Sequence, residues 1–353
     1  MQHTKHVTLS SQLPAPSPQR ILVIGLSNIG DAVLMTPVIA RLHQAFPDAE
    51  VTLLAGERAR AVFADDPRVH RVVVMEAFGG LIGRLRLAGW VWSLRPDLLI
   101  DLRHTILPLL WRPWRAVRYY QPIPRRITHM RDRHLWKLDR ALGSRLTVQD
   151  NGLQSLSSLW IAPEDRAAVD ALLRRWSVDP AKPLVLMSPG ARSHTKRWYA
   201  DRFAALADRL IEDARAEVIL TGEPDEAPVI REVLGAMRHR AHSAVGSTTI
   251  RQLGALMERA GLVITNDSAA LHVAGAVGAP VVALFGPTDP AKYGPSGARS
   301  RVIQRRLFCV PCEEALCRYH HECMRFISAD EVYNVARRLL EAKSWKLGAG
   351  SKQ

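Results

Sequence analysis

Residues 21–42, ILVIGLSNIGDAVLMTPVIARL, decide the fold. Four apolar residues run into Gly25, five more residues reach Gly30, and from there the apolar positions recur with helical spacing. A continuous apolar run of this length reads as a strand buried on both faces, and the glycine-bounded turn after it delivers the chain into a helix. Many phosphate sites begin this way, yet this turn lacks their chemistry. A P-loop needs Gly-Lys-Ser/Thr at the helix mouth, with the lysine on the phosphates and the hydroxyl on magnesium, whereas Asp31 follows Gly30 here. The dinucleotide fingerprint fails as well, because Gly25-Leu26-Ser27-Asn28-Ile29-Gly30 has no middle glycine to let pyrophosphate approach the backbone. The first turn therefore presents a carboxylate where a phosphate site would present a cation.

The same alternation continues along the chain. After a helix from Asp31 to Phe46 come EVTLLAG as a strand, a helix near Arg58 to Ala64, then RVVVME and DLLIDL as strands separated by another helical stretch. Past residue 180 the pattern restarts. KPLVLMSPG, AEVILTGEPDE, LVITND and PVVALFGP read as strands, and WYADRFAALADRLIED, APVIREVLGAM, LGALMERAG and SAALHVAGAVG as helices. Strands alternating with helices predict parallel sheets covered on both faces. The expected fold class is thus α/β, with two doubly wound Rossmann-like domains facing a central cleft, since ligands of such sheets bind beyond the carboxyl ends of the strands. Pro180 and Pro183 mark the join. The divisions read from the sequence are a disordered lead-in over 1–19, domains over 20–179 and 180–327, a helix over 328–344 opening with the capping box Ser328-Ala329-Asp330-Glu331, and a frayed tail over 345–353.

Composition narrows the function classes. With 353 residues and 47% hydrophobic content, the chain is long enough for two packed cores, and it lacks the ~18 uninterrupted apolar residues of a membrane-spanning helix. The polar, proline-rich start has no secretory signal, so a cytoplasmic location is expected. A net charge of +14 predicts an anionic partner. Eleven of the basic residues fall between 103 and 145, interleaved with Trp111, Trp114, Tyr119, Tyr120 and Trp136, a mixture that suits an anionic membrane interface and equally a solvated basic face. The four cysteines, Cys309, Cys312, Cys317 and Cys323, lie within fifteen residues together with His320 and His321. Such density is compatible with a structural zinc site, a loop of reduced thiols, or one or two disulfides.

The most informative segment is LVITNDSAALHVAGAVGAPVVALFGPTDPAKYG, residues 262–294. A buried strand ends at Asn266-Asp267 and a helix of small residues begins at once, so the first-turn N–H groups of Ser268, Ala269 and Ala270 form an accessible anion site at the positive end of the helix dipole. A pyrophosphate would fit there. His272 lies one turn further in. Taken singly, Asp267 reads equally as a helix cap, His272 as a core histidine, and Asp31 as a first-turn acid stabilised by roughly 0.3–1 kcal/mol from the dipole.

Together these segments carry a resemblance. NDSAALHVAGAVGAPVVALFGPTDP resembles the C-terminal signature of the inverting glycosyltransferase family 9, the ADP-heptose lipopolysaccharide heptosyltransferases; VIGLSNIGDAVLMTPVIARL resembles its N-terminal signature, and SPGARSHTKRWYADRFAALADRL the start of its nucleotide-binding domain. The matches run in order from about residue 21 to 340. The resemblance implies a GT-B architecture, with the ADP-sugar held by the C-terminal domain and a lipid-linked lipopolysaccharide core acceptor by the N-terminal domain. It implies Asp31 as the catalytic carboxylate, Lys196 with Arg197 near the donor phosphates, Glu226 on the ribose hydroxyls with Glu223 as the nearby alternative, and Asp267, Ser268, Ala269, Ala270 and His272 as the pyrophosphate loop. The glycines of the first turn, Gly30 among them, would bring the acceptor close to the backbone, and Arg58, Arg60, Arg103 and His104 are candidates for its pocket.

No catalytic metal is implied. A monomer working at the inner face of the cytoplasmic membrane is expected, with no nucleic acid as partner. Two other readings compete: a nucleotide-sugar epimerase on the same architecture, which needs no acceptor, and a nucleic-acid-binding protein using the charge and the Cys/His cluster, which leaves Asp31 and residues 262–294 unexplained.

Overall fold

A computed structural model of the chain describes residues 17–111, 122–142, 158–295 and 297–342. In chain order the elements are β1 (Arg20–Ile24), α1 (Ile29–Ala45), β2 (Glu50–Ala55), α2 (Glu57–Phe63), β3 (Arg71–Val74), α3 (Gly80–Leu94), β4 (Leu98–Asp101), α4 (Leu107–Trp111), α5 (Met130–Leu142) and α6 (Pro163–Arg175), followed by β5 (Leu184–Ser188), α7 (Ala200–Ala214), β6 (Glu217–Leu220), α8 (Ala227–Ala236), β7 (His242–Ser243), α9 (Ile250–Arg259), β8 (Leu262–Asn266), α10 (Ala269–Ala276), β9 (Val281–Phe285), α11 (Pro290–Tyr293), β10 (Ser300–Gln304), α12 (Glu322–Arg325) and α13 (Ala329–Glu341).

The strands form two sheets. The first has the order β3-β2-β1-β4 and the second β10-β9-β8-β5-β6-β7, with every pairing parallel. Their central strands are apolar on both faces because helices cover both: Ile21 to Ile24, all of β5, all of β8 and all of β9 are buried. In each sheet the strand order reverses beside the first strand, β1 and β5, so the carboxyl ends there open a crevice for a ligand.

The helices set how the two sheets meet. Helix α1 packs against α10, and one hydrophobic cluster runs through both, from Ile21 and Ile39 on the first sheet's side to Val263 and Val273 on the second's. Polar ties reinforce this seam: Thr36 Oγ1 lies 2.9 Å from Ser158 Oγ, and Arg68 donates to the Ser158 carbonyl at 3.2 Å. Arg251 of α9 reaches the Ala64 carbonyl and pairs with Asp165 at 3.1 Å. Helix α6, which the sequence division groups with the first sheet, packs on α9 of the second. Helix α13 is capped by Ser328, whose Oγ accepts from the Glu331 N–H at 3.2 Å, while the Glu331 side chain pairs with Arg305 and leaves the capping box half formed; the helix packs on α7.

Strands β7 and β10 are not legible in the sequence. β7 is two residues long, and β10 is an edge strand in which only Ile303 is buried, so neither shows the apolar run of the central strands.

Candidate active site

Between the sheets, at their carboxyl ends, lies a cleft of about 770 Å³ lined from both sides. Its first wall is the β1–α1 turn. Asn28 caps α1 in extended conformation (φ −83°, ψ 150°), and its amide Nδ2 donates to Asp31 Oδ2 at 3.1 Å while its Oδ1 accepts from Arg192 of the other domain at 2.7 Å. Asp31 is thereby oriented from its own helix and coupled to the opposite wall. Arg192, in the loop after β5, was missed by the sequence reading, since only the folded chain shows that an exposed arginine reaches across.

The second wall carries the cation and the helix terminus. Lys196 Nζ sits 2.7 Å from Asp267 Oδ2, which also accepts from Thr288 Oγ1 at 2.7 Å. Asp267 is only 4% exposed, and the two donors account for its burial. It is not the helix cap: that position is Ser268, followed by Ala269 and Ala270 at the start of α10, and all three line the cleft. The small side chains leave the helix mouth open, and Lys196 stands beside it, 6.0 Å from the Tyr293 ring centroid.

His272 links the two walls. It lies on α10, and a Cβ placed on Gly30 would come within 2.9 Å of its Cδ2. Gly30 is therefore glycine because a side chain of the opposite domain packs on it, where the sequence suggested room for an acceptor. Burial lowers the His272 pKa, with Asp267 and Asp31 opposing that shift, so the ring is held neutral.

The acidic loop after β6 resolves into two roles. Glu226 turns inward, its Oε2 accepting from the Glu223 N–H at 2.9 Å and its carboxylate lying where a Cβ on Gly190 would stand, 2.1 Å from Cδ. Burial raises its pKa. Glu223 turns outward and pairs with Arg58 of α2 at 2.5 Å, closing the cleft rim across the domains.

Of the residues singled out from the sequence, Gly30, Asp31, Arg58, Lys196, Glu226, Asp267, Ser268, Ala269, Ala270 and His272 line this one cleft. Four do not. Arg197 turns back to donate to the Ala191 carbonyl at 2.7 Å, and Arg60 is exposed and pairs with Glu57 at 3.7 Å on its own helix. Arg103 bonds Ser27 Oγ at 2.9 Å beside the first turn, and His104, at φ 61°, follows it in an exposed loop organised by the buried Asp101, which accepts from the N–H groups of Arg103 and Thr105. Both stand on the rim outside the lining.

A family model for glycosyltransferase family 9 (heptosyltransferase) matches residues 146–322, just over half of the 353-residue chain. The chain belongs to glycosyltransferase family 9. Lipopolysaccharide heptosyltransferase 2 of Escherichia coli strain K12 is 26% identical over 314 residues, covering 81% of this chain and 88% of that protein. Among solved structures, a family 9 glycosyltransferase from Veillonella parvula superposes with a TM-score of 0.77 at 24% identity, covering 92% and 97% of the two chains. The ADP-heptose lipopolysaccharide heptosyltransferase II of E. coli gives 0.70 at 22%, covering 91% and 98%. The family has the GT-B fold, and the two facing parallel sheets are that fold. Membership makes the chain a glycosyltransferase and removes the support for the epimerase and nucleic-acid readings.

The cysteine cluster stands apart from the cleft. Its four free thiols line a separate pocket of about 370 Å³ with His321 and Thr195, and Cys317 Sγ accepts from the N–H groups of Tyr319 and His321 at 3.4 and 3.3 Å. Among the described residues no group of three or more His, Cys, Asp or Glu side chains is arranged to hold a metal ion. Burial pushes the Cys323 thiol up to about 11, which keeps it protonated and unreactive.

The basic, aromatic stretch 103–145 is also changed by folding. Residues 112–121 and 143–145 lie outside the described residues. In the remainder, Lys137 turns inward to the Leu102 carbonyl, and Arg140 lies over the Trp136 ring at 5.8 Å. The described part is not one continuous exposed face.

Proposed function

We propose that this glycosyltransferase moves a heptose, or a related sugar, from an ADP-sugar to a lipopolysaccharide core acceptor, with inversion at the transferred carbon. The observation that carries the reading is the placement of Asp31 on one wall of a cleft whose other wall offers Lys196 and the open N-terminus of α10. The names of its relatives supply the sugar and the acceptor class.

In this reading the diphosphate of the donor lies against the first-turn N–H groups of α10, with Lys196 beside it and the ribose toward Glu226. The acceptor hydroxyl approaches from the first domain. As its oxygen bonds to the anomeric carbon, the bond from that carbon to the diphosphate oxygen breaks and the electron pair leaves with ADP. Asp31 takes the hydroxyl proton. A carboxylate suffices as base because the proton moves late in an oxocarbenium-like displacement, when the hydroxyl has become acidic. The charge gained by the leaving group develops next to Lys196 and the helix dipole, where fixed donors lower the barrier most.

No resident metal has a part in these steps. The acceptor is lipid-linked, so the enzyme would act on the cytoplasmic side at the membrane surface. No described helix is long and apolar enough to cross a bilayer. ADP release from ADP-heptose, measured with and without truncated lipopolysaccharide, tests the assignment: acceptor-dependent release is expected, and its absence with every core acceptor would remove the substrate reading.

A further inference from the structure

Helix α3 is apolar on both sides, yet it lies on the surface. Its inner side, with Val91 buried and Leu87, Trp90 and Leu94 partly so, packs against a cluster that includes Leu22, Ile24, Leu54 and Leu99 of the first sheet. Its outer side should then be polar, as on any helix covering a sheet. Instead Leu81 and Ile82 are each 75% exposed, Leu85 69% and Trp92 63%.

Leu81, Leu85, Gly89 and Trp92 follow one another at i, i+4, i+8 and i+11, a single stripe with Ile82 beside it. At about 100° per residue, Arg84 falls along one edge of that stripe and Arg86 along the other, and Arg95 follows as the C-cap of the helix. No Asp or Glu occurs from 77 to 96. The adjoining α4 and the residue before it add Leu109, 44% exposed, and Ile106, 66% exposed.

We infer that the outer face of α3, continued by α4, docks this protein on an anionic lipid bilayer. A helix of 15 residues, about 22 Å long, lies in the plane of the interface with its apolar stripe among the acyl chains and its arginines at the headgroups. The cationic edges and the absence of acids fit a negatively charged surface, where each arginine contributes about fivefold in partitioning. Position also fits. The turn that leads into α3 carries Met75, whose sulfur contacts Arg103, and Arg103 bonds Ser27 of the β1–α1 turn beside Asp31. The lipid-facing helix thus starts at the rim where an acceptor would enter, and the inference deepens the proposed function and rests on it by naming the surface on which that acceptor is met.

Flotation of the full chain with vesicles of neutral lipid containing 30% phosphatidylglycerol tests this, beside neutral vesicles and with sedimentation velocity on the free protein. Wild type is expected to prefer the anionic vesicles roughly a hundredfold at low salt. Ile82→Glu/Leu85→Glu is expected to lose at least thirtyfold of that binding and to keep its melting temperature and its turnover of a lipid-free acceptor fragment. Arg84→Glu/Arg86→Glu is expected to lose only the preference for anionic lipid. Undiminished vesicle binding by the first variant would overturn the inference, as would equal binding of wild type to neutral vesicles. A wild-type dimer that this variant dissociates, with lipid binding intact, would assign the face to self-association and also overturn it. Should wild type float with anionic vesicles yet release no ADP with any core acceptor, the substrate reading fails while the docking face stands.

Discussion

Removing the ammonium of Lys196 separates its part in catalysis from its part in the fold. In Lys196→Met the Asp267 carboxylate, 4% exposed, keeps Thr288 as its donor and loses its cation at 2.7 Å. Breaking a fully buried ion pair from one side costs about 3–5 kcal/mol. Lys196 is itself 29% exposed, so water re-solvates much of the deficit and a cost of about 1–2 kcal/mol is expected. For a chain of 353 residues that corresponds to a fall in melting temperature of roughly 1–3 °C.

The catalytic loss should be larger. A donor aimed at charge that develops in the transition state is worth about 10²–10³ in kcat. Adding Asp267→Asn to Lys196→Met removes the unpaired buried charge, so stability is expected to return while kcat stays low. The assays are thermal unfolding for each corner of the cycle and initial rates of ADP release at saturating acceptor. If Lys196→Met kept kcat/KM within threefold of wild type, the leaving group would not lie beside Lys196 as proposed.

Two other changes probe the seam between the domains and the first core. Gly30→Ala sets a methyl within 2.9 Å of the His272 ring, so the β1–α1 turn and α10 must separate slightly; kcat/KM is expected to fall about tenfold, with unfolding temperature lowered by a few degrees, and unchanged kinetics would mean that their contact has no catalytic part. His134 on α5 is 1% exposed with neither ring nitrogen hydrogen-bonded, and burial, aided by Lys137, Arg133 and His129, pushes its pKa down to about 3. The unfolded chain, titrating near 6.5, binds this proton first, so stability is full above that pH and declines as pH falls from about 6.5 toward 3. Between pH 7 and 5 the loss from this residue is about 2 kcal/mol. His134→Leu should be nearly neutral at pH 7 and should flatten that slope in urea unfolding, and an unaltered slope would exclude His134 as its source.

The sequence exposes the parts of the molecule that depend on local pattern. The central strands β1, β5, β8 and β9 are buried on both faces and so read as apolar runs, and the turns that follow them carry Asp31, Lys196 and Asp267 to one cleft. What was not legible depends on partners distant in sequence. Arg192 meeting Asn28, Arg58 meeting Glu223, and His272 filling the space above Gly30 are contacts between domains, and no periodicity announces them.

Edge strand β10 buries one residue and shows no run. Helix α3 hides for the opposite reason. A helix with apolar residues on both sides reads as core, and only the fold shows that Leu81, Ile82, Leu85 and Trp92 face outward. Arg197, expected beside Lys196 at the donor phosphates, and Arg60, expected in the acceptor pocket, both bond within their own segments.

The proposed mechanism makes the carboxylate at the mouth of α1 the base for an acceptor hydroxyl and leaves the phosphates to the other domain. Asp31→Asn keeps the size of the side chain and its contact with Asn28, so it removes basicity with little change in shape. Acceptor-dependent ADP release measured for this variant beside wild type is expected to show kcat lower by about 10²–10⁴ with KM for the ADP-sugar within a fewfold. Full acceptor-dependent turnover by Asp31→Asn would contradict the account.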